Sequence, residues 1–178
     1  GKNKYALCIV DGMGTGKPAA EQSKRISATV RTMISRGVPK TDIMDMVNTA
    51  LYNGKEDSVL SFDMSIVDLD SAQCEMLKAD ASPTFICRGG NVYCVGRRSL
   101  PLGADETPDS FSSTCTLFDG DILVMVSDGF FGDSEDFCMN ILRKCVSEKN
   151  DPLGFAAALI DTAVNSGLAD GDDLTVIV

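Results

Sequence analysis

The chain has 178 residues, of which 44% are hydrophobic and 24% are charged, and its formal net charge at pH 7 is −10. This length predicts one domain with a full hydrophobic core, and the composition is that of a globular protein. The acidic charge disfavours nucleic acid and anionic membranes as partners, and the apolar runs are too short to cross a bilayer.

Apolar periodicity and turn residues divide the chain into strands and helices. In chain order these are a strand at 5–10, helices at 18–35 and 41–52, strands at 62–69, 73–79, 84–88, 91–95, 113–117 and 122–127, helices at 135–148 and 153–166, and a strand at 174–178. Thr41 is predicted to cap the second helix, Gly89-Gly90 to turn a hairpin, and Asp119-Gly120 to fold one strand back onto the next. Because helices and hairpins are segregated along the chain, the order favours an α+β fold in a single domain over 1–178.

Histidine and cysteine usage narrows the chemistry. No histidine is present, which excludes Ser-His-Asp and Cys-His catalysis and every His-ligated metal site. Any metal must be held by carboxylates, carbonyls and water, the ligands of hard ions such as Mg²⁺, Mn²⁺ or Ca²⁺. The seven cysteines are scattered without a CxxC pair, so we expect reduced thiols in a cytoplasmic protein.

Acidic residues recur at the ends of three predicted strands. Asp11-Gly12 follows the first strand, Asp128-Gly129 follows the strand at 122–127, and Asp172 and Asp173 precede the last one. A single Asp-Gly pair is a common turn, but adjacent strands of one sheet would bring all three ends together. Clustered carboxylates repel one another, and two divalent ions about 3.5–4 Å apart would neutralise them. The pattern therefore predicts a two-metal site.

The glycine-rich turn at 11–17 first suggests a phosphate-binding loop. A Walker loop needs glycine at position 11 and Ser or Thr at position 18, where this chain has Asp11 and Pro18. The nucleotide-binding interpretation therefore fails. Lys17, Arg97 and Arg98 are candidate phosphate contacts, but the preferred interpretation is that their side chains are solvated.

A set of motifs, in order from about residue 5 to the end, resembles the phosphatase domain of the stage II sporulation protein E family, within the metal-dependent PPM (protein phosphatase 2C-like) superfamily. These motifs are Val10-Asp-Gly-Met-Gly-Thr-Gly16, Phe62-Asp-Met-Ser-Ile-Val-Asp-Leu69, Ser82-Pro-Thr-Phe-Ile86, Leu100-Pro-Leu-Gly103, Gly120-Asp-Ile-Leu-Val-Met-Val-Ser-Asp-Gly129 and Gly171-Asp-Asp-Leu-Thr-Val176. The resemblance implies an α-β-β-α sandwich of two mostly antiparallel sheets flanked by helix pairs.

The resemblance also implies a site and a substrate. Asp11, Asp128 and Asp172 would be the metal-ligand aspartates, with the Gly12 carbonyl as a further ligand and Asp173 as the alternative to Asp172. Two Mn²⁺ or Mg²⁺ ions would activate a water that hydrolyses phosphoserine or phosphothreonine in a protein, typically an anti-sigma-factor antagonist. The helix pair at 18–52 resembles the switch element that controls productive metal binding.

Two departures from the family pattern bear on function. The family carries a further strand with an acidic residue upstream of Asp11, so we expect this chain to be part of a longer protein. A membrane anchor in the parent chain and a homodimer are both left open. The missing strand motivates the alternative of a catalytically silent signalling module that binds a partner protein. The second departure is Asp80, which stands where family members usually have glycine.

Overall fold

The computed structural model describes residues 3–14, 16–54, 59–130, 135–148, 151–167 and 173–178. In chain order its elements are β1 (Lys4–Gly12), α1 (Lys17–Ser35), α2 (Lys40–Tyr52), β2 (Leu60–Asp68), β3 (Gln73–Ala79), β4 (Thr84–Arg88), β5 (Asn91–Val95), β6 (Phe111–Thr116), β7 (Ile122–Val126), α3 (Glu135–Glu148), α4 (Pro152–Asn165) and β8 (Val176–Ile177). The chain divides into two compact units, one of residues 1–81 and 97–117 and one of residues 82–96 and 118–178. The single domain over 1–178 stays a prediction.

The first unit is an antiparallel sheet in the order β1-β2-β3-β6, with α1 and α2 packed on one face. Successive residues of a strand point to opposite faces, so Phe62 and Met64 of β2 face the helices, where both are buried. Val30 of α1 and Ile43 of α2 complete this core. The intervening residue, Asp63, is therefore placed on the other face of the sheet.

The second unit is an antiparallel sheet in the order β5-β4-β7-β8, with its own core against α3 and α4. Phe85 and Val124 from the sheet, and Leu142 and Phe155 from the helices, are completely buried in that core. Burying each of these large apolar side chains contributes roughly 1.5–3 kcal/mol to the free energy of unfolding. The four predicted helices and eight predicted strands are all present, with small shifts of their ends.

The Gly89-Gly90 hairpin is confirmed. Arg88 pairs with Asn91 across β4 and β5, which leaves the two glycines as a two-residue turn. Their φ angles are 56° and 80°, the left-handed region that such a turn requires and that glycine enters without steric cost.

The predicted helix cap at Thr41 is wrong. The helix α2 begins at Lys40 with Pro39 at the N-cap position, and no side chain caps it. The Thr41 hydroxyl lies inside the first turn and donates to the Asp42 carboxylate at 3.3 Å. The fixed φ of proline, −56° here, sets the N-cap two residues earlier than the hydroxyl pattern indicated.

The predicted pairing of the strands on either side of Asp119-Gly120 is also wrong. The turn forms, because Asp121 N donates to Phe118 O at 3.0 Å, but β6 pairs with β3 and β7 pairs with β4. Arg88 of β4 binds the Asp121 carboxylate through two nitrogens, with distances of 2.9 Å from Nε and 2.6 Å from Nη2. This fork holds the start of β7 beside β4.

Candidate metal site at three acidic strand ends

The first predicted acidic end is the end of β1. Asp11 and Gly12 are its last two residues, paired with Ser61 and Leu60 of β2. The Asp11 side chain is exposed, whereas Gly12 is buried. Gly12 N donates to Ser23 Oγ of α1 at 2.7 Å. The strand thus delivers an exposed carboxylate beside a backbone segment that packs on a helix.

The second acidic end follows β7. Asp128 opens a short 3-10 turn over Asp128–Phe130 and is exposed. Phe130, at the other end of the turn, is buried in the core of the second unit, and its N–H donates to Ser127 O at 3.2 Å. Burial of the aromatic ring fixes the turn and keeps the carboxylate at the surface.

The third acidic end precedes β8. Asp172 lies outside the described residues, and Asp173 is exposed. Ser127 ties this segment to the end of β7: its Oγ donates to Asp173 O at 3.1 Å and accepts from Thr175 N at 3.0 Å, and its N donates to Thr175 O at 3.0 Å. Ser127 therefore holds the backbones of Asp128 and Asp173 side by side, a role that its place in the Ser-Asp-Gly motif did not reveal.

The expectation that all three acidic ends belong to one sheet is wrong. β7 and β8 are antiparallel neighbours, so the end of one lies beside the start of the other. β1 belongs to the other sheet and to the other compact unit. Within the ranges that the structure describes, no three Asp, Glu or Cys side chains form a group that could hold a metal ion. The full ligand set stays a prediction.

The chemistry of the donors fits a hard divalent ion. Exposed carboxylates at Asp11, Asp128 and Asp173 and the backbone carbonyl of Gly12 offer only oxygen, and the sequence has no histidine. Oxygen-only sets of this kind suit Mg²⁺ or Mn²⁺ rather than softer metals.

Of the three cationic side chains considered as phosphate contacts, Arg97 is engaged in an ion pair. Arg97 binds Asp109 at 2.7 Å and Ser110 O at 2.8 Å, which holds the pKa of Asp109 below its ordinary value through the arginine hydrogen bond. Lys17 lies 3.8 Å from Glu21 on the exposed side of α1. Arg98 is exposed. The exposure of Lys17 and Arg98 agrees with the interpretation of solvated side chains, whereas Arg97 is part of an ion pair.

A buried ion pair on the sheet face shared with Asp11 was missed by the sequence analysis. Asp63 Oδ2 and Lys78 Nζ lie 2.5 Å apart, and their side chains are 3% and 0% exposed. Asp63 is opposite Ile9, two residues before Asp11, so the two aspartates share a face. Burial raises the pKa of Asp63, with Lys78 acting in the opposite direction. The sequence feature that could have predicted this pair is a charged residue within each of two largely buried strands, Asp63 in β2 and Lys78 in β3.

These elements define a class of protein. Two antiparallel sheets and four helices match the phosphatase domain and regulatory fragment of SpoIIE from Bacillus subtilis, described as a PP2C phosphatase domain, with a TM-score of 0.83 and 32% identity over 97% of this chain and 53% of that one. The predicted α+β class is confirmed, and the fold is that of a PP2C-type serine/threonine phosphatase domain. The profile of the family "Stage II sporulation protein E (SpoIIE)" matches residues 1–178. The chain belongs to the stage II sporulation protein E family.

Individual relatives extend this assignment. Stage II sporulation protein E of Bacillus subtilis (strain 168) is 33% identical over all of this chain and 22% of its own length, and that of Priestia megaterium is 31% identical over 98% and 31%. The chain therefore spans about a quarter of these relatives. RsbX in complex with magnesium shares the fold, with a TM-score of 0.74 and 16% identity over 99% of this chain and 80% of that one.

Helix length and composition also bear on membrane insertion. Among the helices that the structure describes, none combines the length and the apolar composition that a bilayer span requires.

Proposed function

We propose that the chain is a metal-dependent phosphatase that hydrolyses phosphoserine or phosphothreonine in a protein. The observation that carries this proposal is the PP2C-type fold together with acidic residues at the ends of β1 and β7 and before β8. We further propose an anti-sigma-factor antagonist or a similar bacterial regulator as the substrate, two Mn²⁺ or Mg²⁺ ions as cofactors, and a cytoplasmic location. None of the seven cysteines, all of which lie in described segments, forms a disulfide, in keeping with that location.

The proposed metal ligands differ in charge and in role. Asp11, Asp128 and either Asp172 or Asp173 would hold the ions, with the carbonyl of Gly12 as a neutral ligand. Bound divalent ions supply positive charge, which lowers the pKa of a water and stabilises the phosphoryl oxygens. Ser127 contributes by fixing the spacing between the Asp128 and Asp173 segments through its three hydrogen bonds.

Hydrolysis of a phosphopeptide in Mn²⁺ tests the proposal. We expect Asp128→Asn to lower kcat/KM by at least about 100-fold, since a ligand that balances the metal charge is lost. The matched control is Asp119→Asn, which removes an exposed carboxylate from the turn before β7. Equal activity in the two variants would refute the role of Asp128.

Calorimetry with Mn²⁺ separates the phosphatase from a catalytically silent module. Binding that is lost in Asp128→Asn but kept in Asp119→Asn supports the enzyme. A folded chain that binds no Mn²⁺ favours the silent, partner-binding alternative.

A further inference from the structure

Polar contacts from both helices of the α1–α2 pair converge on the end of β1. We infer that Ser23 is a positioning residue that orients the backbone of Gly12 for metal binding, and that Asn48 supports the same backbone through the loop at 102–106. This inference rests on the proposed function, because Gly12 is a proposed ligand. It adds to that function the side chains through which α1 and α2 act on the site.

The first contact is direct. Ser23 Oγ accepts from Gly12 N at 2.7 Å and donates to Ala19 O at 3.0 Å, so both hydrogen-bonding roles of this hydroxyl are used. The next peptide, which carries the Gly12 carbonyl, is fixed by Met13 N donating to Val59 O at 3.2 Å. In a trans peptide the C=O and N–H groups point in opposite directions. The Gly12 carbonyl is therefore directed away from Val59, with hydrogen bonds to the peptide on each side of Gly12.

Close packing makes this contact sensitive to the position of α1. A Cβ placed on Gly12 would lie 2.9 Å from Ala19 O and 2.9 Å from Gln22 Oε1. Real Cβ atoms do not approach a backbone oxygen so closely, so only glycine permits α1 at this distance. The Ser23 hydrogen bond to Gly12 therefore forms at a helix position that glycine permits and that a larger residue would exclude.

The second contact is indirect and comes from α2. Asn48 is completely buried, and its Oδ1 accepts from Gly103 N at 2.8 Å. Its Nδ2 donates to the carbonyls of Asp105 and Glu106, each at 3.0 Å. The residue before Gly103 is Leu102, which exchanges two backbone hydrogen bonds with Leu60, at 3.1 Å and 2.9 Å. Leu60 is the strand partner of Gly12.

These contacts form one connected structure around Gly12. On the α1 side, Ser23 accepts a hydrogen bond from the N–H of Gly12. On the α2 side, Asn48 holds the loop that begins at Leu102, and Leu102 is hydrogen-bonded to Leu60, the strand partner of Gly12. All of the groups belong to the first compact unit. Because a buried amide that loses its partners is costly, the Asn48 side chain fixes the loop in one arrangement.

The decisive experiment compares Ser23→Ala with Thr29→Ala in the 178-residue chain. Thr29 is the matched control, since its hydroxyl makes the same bond to its own helix, to Arg25 O at 3.0 Å, and it is exposed. In Ser23→Ala we expect hydrogen exchange at the Gly12 amide to rise at least about tenfold and the Kd for Mn²⁺ to rise about three- to tenfold, as the loss of one hydrogen bond would give. Ser23→Thr, which keeps the hydroxyl group, should restore the Mn²⁺ affinity.

The outcomes distinguish this inference from the proposed function. Faster exchange at Gly12 with an unchanged Kd for Mn²⁺ would overturn the positioning role and leave the phosphatase intact. No Mn²⁺ binding to the unmodified chain would overturn both. Equal exchange and affinity in the Ser23 and Thr29 variants would also overturn the role of Ser23.

The contribution of α2 has its own control. Asn53→Ala removes an amide that donates only to Thr49 O of the same helix, at 3.1 Å. We expect Asn48→Ala to speed exchange at Gly103 and to raise the Kd for Mn²⁺ about twofold or more relative to Asn53→Ala. Asn48→Ser, which keeps a small polar group, serves if the alanine variant does not fold. Equal Mn²⁺ affinity in the Asn48 and Asn53 variants would overturn the support from α2.

Discussion

The carboxylate of Asp63 and the ammonium group of Lys78 lie 2.5 Å apart across β2 and β3, and both side chains are almost completely buried. Asp63 Oδ1 has no hydrogen-bond partner among the residues described. Removing charge from water is costly, and a buried ion pair recovers that cost only while both partners are present. The pair is therefore a sensitive point of the first unit.

Lys78→Met should destabilise the chain by about 3–5 kcal/mol, because it leaves a buried carboxylate without its counter-ion. The double variant Asp63→Leu/Lys78→Met should recover most of that loss, since no buried charge remains. Urea denaturation measures both effects. Lys4→Met, which breaks the partly exposed pair with Asp68 on the same sheet, is the control and should cost far less. A double variant no more stable than Lys78→Met would contradict this account.

Stability at acid pH should depend on Asp121. Hydrogen bonds from Arg88 hold the pKa of Asp121 below its ordinary value, so the folded state binds fewer protons than the unfolded state. This contribution is present above about pH 4 and is lost as the pH falls through the lowered pKa. Asp121→Asn should lower the free energy of unfolding at pH 6 by about 1–2 kcal/mol and flatten its decline towards pH 3.

Urea midpoints measured between pH 6 and pH 3 test the Asp121 prediction. Asp119→Asn, two residues away and exposed, should keep the decline of the unmodified chain. A parallel decline in both variants would show that Asp121 is not its source.

Ala72→Gly should stabilise the chain by about 1 kcal/mol. Ala72, in the turn between β2 and β3, has a φ of 56°, a left-handed conformation that costs a residue with a Cβ roughly 1–2 kcal/mol. Thermal unfolding measures the gain. Ala50→Gly in α2 is the control, because glycine in an exposed helix position should cost about 1 kcal/mol. A loss of stability in both variants would argue against strain at Ala72.

Asp80 is a related case. Its φ is 48°, in the left-handed region that glycine enters at the least steric cost. Asp80 N donates to Ser99 Oγ at 2.8 Å, a bond that any side chain would leave in place. Asp80→Gly should therefore relieve backbone strain, by less than Ala72→Gly because an aspartate tolerates this conformation better than alanine does.

Thiol alkylation should be selective. Cys94 lies exposed on the edge strand β5, whereas burial raises the pKa of Cys8 and of Cys74 to about 12 and that of Cys87 to about 11. Since the thiolate is the reactive form, iodoacetamide at pH 8 should modify Cys94 at least about tenfold faster than these three. Peptide mapping after timed quenching gives the rates. Modification of Cys8 at the rate of Cys94 would contradict the burial.

Local pattern alone predicted the elements. The apolar periodicity located the eight strands and four α-helices that the structure describes, and Gly89-Gly90 specified its hairpin, because these features depend on residues close together in the chain. The motifs around Asp11, Asp128 and Asp172 pointed to the family for the same reason: each is a short contiguous run. Helix starts depended on a balance between neighbours, which is why Pro39 rather than Thr41 sets the start of α2.

Tertiary structure decided which strands are neighbours. The sequence placed three acidic strand ends in one sheet, but hydrogen bonding put β1 in one sheet and β7 and β8 in another. It also decided the partners of Ser23, Asn48 and Lys78, whose hydrogen bonds reach 11, 55 and 15 residues along the chain. A single sequence specifies that these side chains are polar and where each one lies in the apolar periodicity of its helix or strand. Which distant group each one satisfies depends on strand pairing and helix packing, which bring together groups that no local pattern relates.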